Sequence, residues 1–190
     1  MSDSDDAPLH DELAQGILRL TLNRPDKLNA LDGAMIETRY QPIVAVRDRR
    51  LIALEALARM NHPSRGLLAP DRFVPAMEAA GLGDKLTDLV IRRAFADMTG
   101  PVLAPLGVRM TINFPLDVLL TPAALVRMDE HRRDAGLDAS QIVIELTESQ
   151  PADDMATLRC SLGWLRAHGY NVAVDDAGPG IVDRDIVAMR

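Results

Sequence analysis

The chain has almost no cysteine, no long apolar run and no excess of positive charge, and each absence removes a class of function. Cys160 stands alone in 190 residues, so neither an intrachain disulfide nor a thiolate metal cluster can form within one chain. A reducing cytoplasm is the expected compartment. No stretch of roughly 18 apolar residues occurs, so no membrane-spanning segment is expected. The opening MSDSDDAPLHDE is acidic and lacks the basic start and apolar core of a secretory signal; it reads as a solvated leader. A formal charge of −7 offers no broad positive face for polymeric nucleic acid or an anionic membrane. There is no phosphate-cradling glycine loop of the P-loop kind. His10, His62, His131 and His168 share no metal-ligand spacing and are expected to be structural or solvent-facing.

What remains is ordinary globular material, 47% hydrophobic and 26% charged, arranged as strand-like runs alternating with helical periods from about Thr38. Tyr40 to Val46 and Leu51 to Met60 read as a hairpin around a charged turn. A helix opens at Pro70-Asp71 and stops at Gly81, where a left-handed cap is sterically cheap. Leu86, Leu89, Val90, Ala94 and Phe95 then share one face of a second helix. Val108 to Phe114, Ile142 to Leu146 and Val172 to Val174 are further strands. Thr121-Pro122 opens one intervening helix, and Met155, Leu158, Leu162 and Leu165 give the core face of another. Strand, helix, strand in this order implies parallel pairing with right-handed crossovers, so all strand ends emerge on one rim. Cys160 and Trp164 on the last helix are expected to pack in the core.

Four of the apolar runs end in an oxygen-bearing side chain: Glu55, Asn113, Glu145, and the pair Asp175-Asp176. For any one of these alone, a helix cap or a solvated strand end is the simpler account. Together, at equivalent places, they argue for a hard cation such as Mg²⁺, Mn²⁺ or Ca²⁺, since zinc prefers nitrogen and sulfur. Two adjacent carboxylates could serve two ions roughly 3.5–4 Å apart, the arrangement that cleaves phosphodiesters.

The segments YQPIV (Tyr40 to Val44), EALAR (Glu55 to Arg59), PDRFVP (Pro70 to Pro75), INFP, ELTES and VDDAGPG follow one another from about Thr38 to Gly180. Their order and spacing resemble the EAL domain family of bacterial cyclic di-GMP phosphodiesterases. The resemblance implies an α/β fold, a TIM-like (β/α) barrel with one antiparallel strand and about five of its strands present. It implies Mg²⁺- or Mn²⁺-dependent hydrolysis of cyclic di-GMP to the linear dinucleotide, with Ca²⁺ as a substituting or inhibitory ion. By position, Glu55, Asn113, Glu145 and Asp175 resemble the ligands of a first metal. Asp175 would also reach a second metal, which Asp176 helps to hold; Glu55 and Asp176 are the expected catalytic carboxylates. Arg59 is similar to an arginine that contacts the dinucleotide's phosphate, Leu57 to an apolar substrate contact, and Gln41 to a glutamine near the pocket. A surface ion pair, core packing and a structural hydrogen bond are their respective alternative roles.

Three departures bear on activity. Pro115 stands where the family usually has serine, and Ala177 to Asp183 replaces a phenylalanine-glycine-threonine-glycine loop that organises the second metal and a dimer contact. The family's water-positioning lysine and later metal ligands would lie beyond Arg190. A closed barrel takes about 250 residues, whereas only about 150 follow Thr38. The expectation is therefore a truncated domain with impaired hydrolysis; the alternative is a non-catalytic module that binds cyclic di-GMP or a protein partner. A homodimer through the barrel edge or the loop after Asp176 is also expected. Residues 1–37 form a separate leader in this reading, and 38–190 the barrel domain. Within the leader, Gly16 to Met35 resembles the first segment of the crotonase family, with none of that family's catalytic residues following; the plain alternative is an added edge strand at Ile17 to Leu22.

Overall fold

The computed structural model describes residues 9–14, 17–22, 35–62, 64–147 and 154–174. Its centre is a curved sheet of strands β3 (Ile36–Val44), β4 (Leu51–His62), β6 (Arg109–Pro115), β7 (Ile142–Thr147) and β8 (Asn171–Val174), side by side in that order. The short β5 (Gly66–Leu68) hangs on the far end of β4. β3 runs antiparallel to β4, and every other neighbour in the row is parallel. The directions and four of the long strands are those that the sequence pattern implies; β3 runs from Ile36 to Val44 instead of Tyr40 to Val46, β5 was not expected, and together the strands form a partial barrel of the TIM type.

The helices cover one face. α1 (Val74–Ala79), α2 (Gly83–Met98), α3 (Leu116–Leu119), α4 (Pro122–Asp134) and α5 (Met155–Ala167) lie between the strands in the chain. Along β6, Met110, Ile112 and Phe114 are at most 1% exposed, as are Ile142 and Ile144 of β7. Alternation along a strand turns their neighbours Thr111, Asn113, Val143 and Glu145 to the other, concave face. Leu86, Val90, Ala94 and Phe95 of α2 are buried, as their spacing predicts. Gly81 takes φ +70, the left-handed conformation that lets α1 stop and α2 begin at once.

A polar network fixes the start of β8. Asp129 of α4, only 4% exposed, accepts hydrogen bonds from the Tyr170 hydroxyl at 2.7 Å and from Arg132 at 2.8 and 3.0 Å. Burial raises the Asp129 pKa, but the bonds from Tyr170 and Arg132 and the charges of Arg132 and Arg133 outweigh it and hold the carboxyl below its usual range. Asn171 donates to the Ser140 carbonyl at 2.9 Å. The strand therefore enters the sheet in one register.

Several local expectations need correction. Cys160 is exposed, because α5 buries Leu158, Ser161, Leu162 and Leu165 and turns Cys160 away. Thr121 occupies the N-cap of α4 but its hydroxyl donates to the Asp117 carbonyl at 3.1 Å instead of accepting from the helix. The first helix is split: Pro70–Arg72 form a 3₁₀ turn and α1 starts only at Val74. In the leader, β1 (Leu9–Ala14) pairs antiparallel with β2 (Ile17–Leu22) in a separate two-stranded sheet. Ile17–Leu22 is thus not an added edge of the main sheet, and Leu9 to Glu12 are strand. Trp164 packs as expected, stacked on His168 at 3.8 Å and on Tyr170 at 6.3 Å between ring centres. His62 is buried and its Nδ1 accepts from the Ser64 and Arg65 backbone N–H groups, closing the turn after β4.

Candidate functional site

Register decides which polar side chains meet. Glu55 lies opposite Thr111 in the parallel pair of β4 and β6, and Asn113, two residues on, shares its face. The Asn113 side-chain amide reaches back and donates to Glu55 Oε1 at 2.9 Å. Asn113 is itself level with Glu145 on β7, and Glu145 with Ala173 on β8. On the other side of β4, Gln41 sits directly opposite Glu55 in the antiparallel pair. Gln41, Glu55, Asn113 and Glu145 therefore form one row across the concave face, toward the ends of the parallel strands.

Leu57 continues this face, and Arg59, two residues further, donates from Nη1 to the neighbouring Ala58 carbonyl at 2.8 Å. Arg59 makes no ion pair with another described residue. Asp175 and Asp176, and the run from Ala177 to Asp183, lie outside the described residues, immediately after β8.

A cavity of about 390 Å³ opens beside the row. Glu55, Leu57 and Asn113 line it together with Pro115, and the opposite wall comes from the 3₁₀ turn and α1, including Asp71, Val74 and Glu78. Asp71 and Glu78 were not foreseen as cavity residues. Asp71 lies in the PDRFVP stretch and Glu78 three residues past its end, but only the fold of that segment brings both to the cavity that Glu55 lines. Burial pushes the Glu78 carboxyl above its usual range, and the like charge of Asp117 adds to the effect.

The donor chemistry suits a hard divalent cation: two carboxylates and an amide, all oxygen donors. Because the Asn113 amide N–H points to Glu55, its carbonyl oxygen remains the acceptor available to an ion. Among the described residues no three His, Cys, Asp or Glu side chains converge as a cluster by themselves; Asn113 is joined to Glu55 by a hydrogen bond and to Glu145 by register alone.

The EAL domain model matches residues 26–184. The chain belongs to the EAL domain family. The match opens upstream of Thr38, within the leader. Among curated relatives, the cyclic di-GMP phosphodiesterase NbdA of Pseudomonas aeruginosa is 36% identical over 152 residues, which cover 80% of this chain and 19% of NbdA. The chain thus spans about a fifth of that relative's length. Among solved structures, the PaMucR phosphodiesterase in complex with c-di-GMP superposes with a TM-score of 0.72 at 26% identity, covering 83% of this chain and 64% of that one. The calcium and cyclic di-GMP complex of Klebsiella pneumoniae BlrP1 does so with a TM-score of 0.64 at 26% identity, over 80% of this chain and 37% of that one. Among the described residues of this EAL chain, no helix is long and apolar enough to cross a membrane.

Proposed function

We propose that this chain carries the cyclic di-GMP site of an EAL phosphodiesterase, with Glu55, Asn113 and Glu145 as the ligands of a Mg²⁺ or Mn²⁺ ion. The single observation behind this reading is the Asn113 to Glu55 hydrogen bond between parallel neighbours, 2.9 Å long, which orients both side chains beside the cavity before any ligand arrives. Asp175 and Asp176, one and two positions past Val174, would complete the ligand set, and Asp176 would hold a second ion. Such ions supply charge to a phosphate oxygen and lower the pKa of attacking water.

The remaining roles fall to the chain's own side chains. Asn113 holds the Glu55 carboxylate in place and presents its own carbonyl oxygen. Arg59 has a planar fork suited to phosphate oxygens. Leu57 and Val74 supply apolar wall for a base, and Gln41 can bond its edge. NbdA's name and the ligands of PaMucR and BlrP1 support cyclic di-GMP as the dinucleotide. A second reading, binding without hydrolysis, is favoured by Pro115: it ends β6 inside the cavity lining with no hydroxyl to donate.

Calorimetric titration of the 190-residue chain with cyclic di-GMP, with and without Mg²⁺, tests the site, and chromatography of the nucleotide tests turnover. Metal-dependent binding with slow release of linear dinucleotide is the expected result, in keeping with the departures at Pro115 and at Ala177 to Asp183. Binding without product would select the second reading, and absence of binding at every metal concentration would overturn both.

A further inference from the structure

The rim opposite the site carries a second feature. Of the seven large hydrophobic side chains that are exposed among the described residues, five lie at the end of the sheet where β4 and β6 begin. Val46, at the tip of the β3–β4 hairpin, is 99% exposed, with Val44 at 47% and Ile52 at 41% on either side of it. Ala53 pairs with Arg109, which brings the segment preceding β6 alongside. That segment, Thr99 to Val108, contains no charged residue and exposes Val102 at 76% and Leu106 at 47%.

The charges around these apolar groups are nearly all of one sign. Arg47, Arg49 and Arg50 occupy the hairpin turn and Arg109 the start of β6, all exposed, with Asp48 the lone carboxylate in these segments. None of the four arginines forms an ion pair with a described residue, whereas Arg39, Arg92, Arg93, Arg127, Arg132 and Arg133 all do. Arg49 also sits at φ 57, a left-handed conformation that glycine would adopt at lower cost. The net charge of −7 belongs to the whole chain; this corner is positive.

We propose that this rim docks on an anionic lipid surface, with Val46 entering the headgroup layer and the arginines meeting lipid phosphates. A protruding, fully exposed aliphatic side chain ringed by arginines suits a soft anionic layer, since long basic side chains can extend to phosphates while the apolar tip inserts. A rigid protein partner would need a socket for Val46. Glu55 lies four residues into β4, roughly 13 Å from the strand's start at about 3.3 Å per residue, so docking here leaves the cavity and its row of oxygens facing water.

The test is co-sedimentation of the full chain with phosphatidylcholine vesicles, with and without phosphatidylglycerol, at low and high salt. Binding only to the phosphatidylglycerol vesicles, weakened by salt, is expected. The triple variant Arg47→Glu, Arg49→Glu, Arg50→Glu should lower the partition coefficient by roughly a hundredfold or more, and Val46→Asp should lower it on its own. Reversing Arg92 and Arg93 on α2, whose side chains are 62% and 65% exposed, matches the charge change of a double hairpin variant, Arg47→Glu with Arg50→Glu, and unlike it should leave binding in place; circular dichroism verifies that each variant is folded. Binding that survives the hairpin triple variant, or that Val46→Asp leaves untouched, overturns the proposal. So does absence of binding to anionic vesicles at low salt, which would leave an acidic protein surface as the occupant of these charges.

Discussion

The two faces of the sheet are made from the same strands and do opposite work. On β6 the helix-covered face presents Met110, Ile112 and Phe114, at most 1% exposed; the concave face presents Thr111, Asn113 and Pro115. The first set removes apolar surface from water and supplies stability. The second supplies oxygen atoms held by neighbours, with Asn113 bonded to Glu55. Separation of the two faces means that chemistry at the site can be altered without touching the core, and the core without touching the ligand set.

The largest effect is expected from breaking the covered face. Ile144, 0% exposed on the inner strand β7, leaves a cavity when shortened, and Ile144→Ala should cost about 3–4 kcal/mol in urea unfolding. Removal of the Asp129 carboxylate comes next: Asp129→Ala strands the Arg132 charge and the Tyr170 hydroxyl, at about 3 kcal/mol. Because the Asp129 pKa is depressed in the folded state, the wild-type contribution is fully present above the unfolded carboxyl's value near 3.8 and is lost as pH falls through the folded value. The variant's unfolding midpoint should accordingly respond less to acid than the wild type's.

On the concave face the order reverses. Asn113→Ala should cost only about 1 kcal/mol of stability, the net worth of one hydrogen bond, yet abolish metal-dependent binding of cyclic di-GMP in calorimetry. Loss of global folding in this variant would show that the two faces are not separable. The smallest effect belongs to Glu78. Its raised pKa means that the folded state holds the proton longer than the unfolded one, so its contribution to stability falls as pH rises through the interval above the ordinary value of 4.5. Glu78→Gln should flatten the pH dependence of the melting temperature in that interval.

Much of this was legible in the residues. The strands from Leu51 onward, the buried face of α2 and the stop at Gly81 follow from apolar period and from glycine's tolerance of positive φ. The row Glu55, Asn113 and Glu145 was legible as types and places. Other features were not. Nothing local distinguishes Cys160 from a core residue, because which face of α5 is covered depends on where the helix lands. β5 has only three residues, too few to show a period, and Thr121 makes no side-chain cap bond because its hydroxyl is oriented to the Asp117 carbonyl of α3.

The sequence alone determined the family, the alternation of strand and helix, and the residue types that face the site, since side-chain period is a property of each strand by itself. The tertiary structure decided the register: that Asn113 reaches Glu55 across strands 58 residues apart, that α1 folds over them to make a cavity, and that arginines with no ion pair to a described residue gather with exposed valines at the far rim. Register is set by pairing between distant segments and by the helices packed behind them, and neither is written in the period of any one strand.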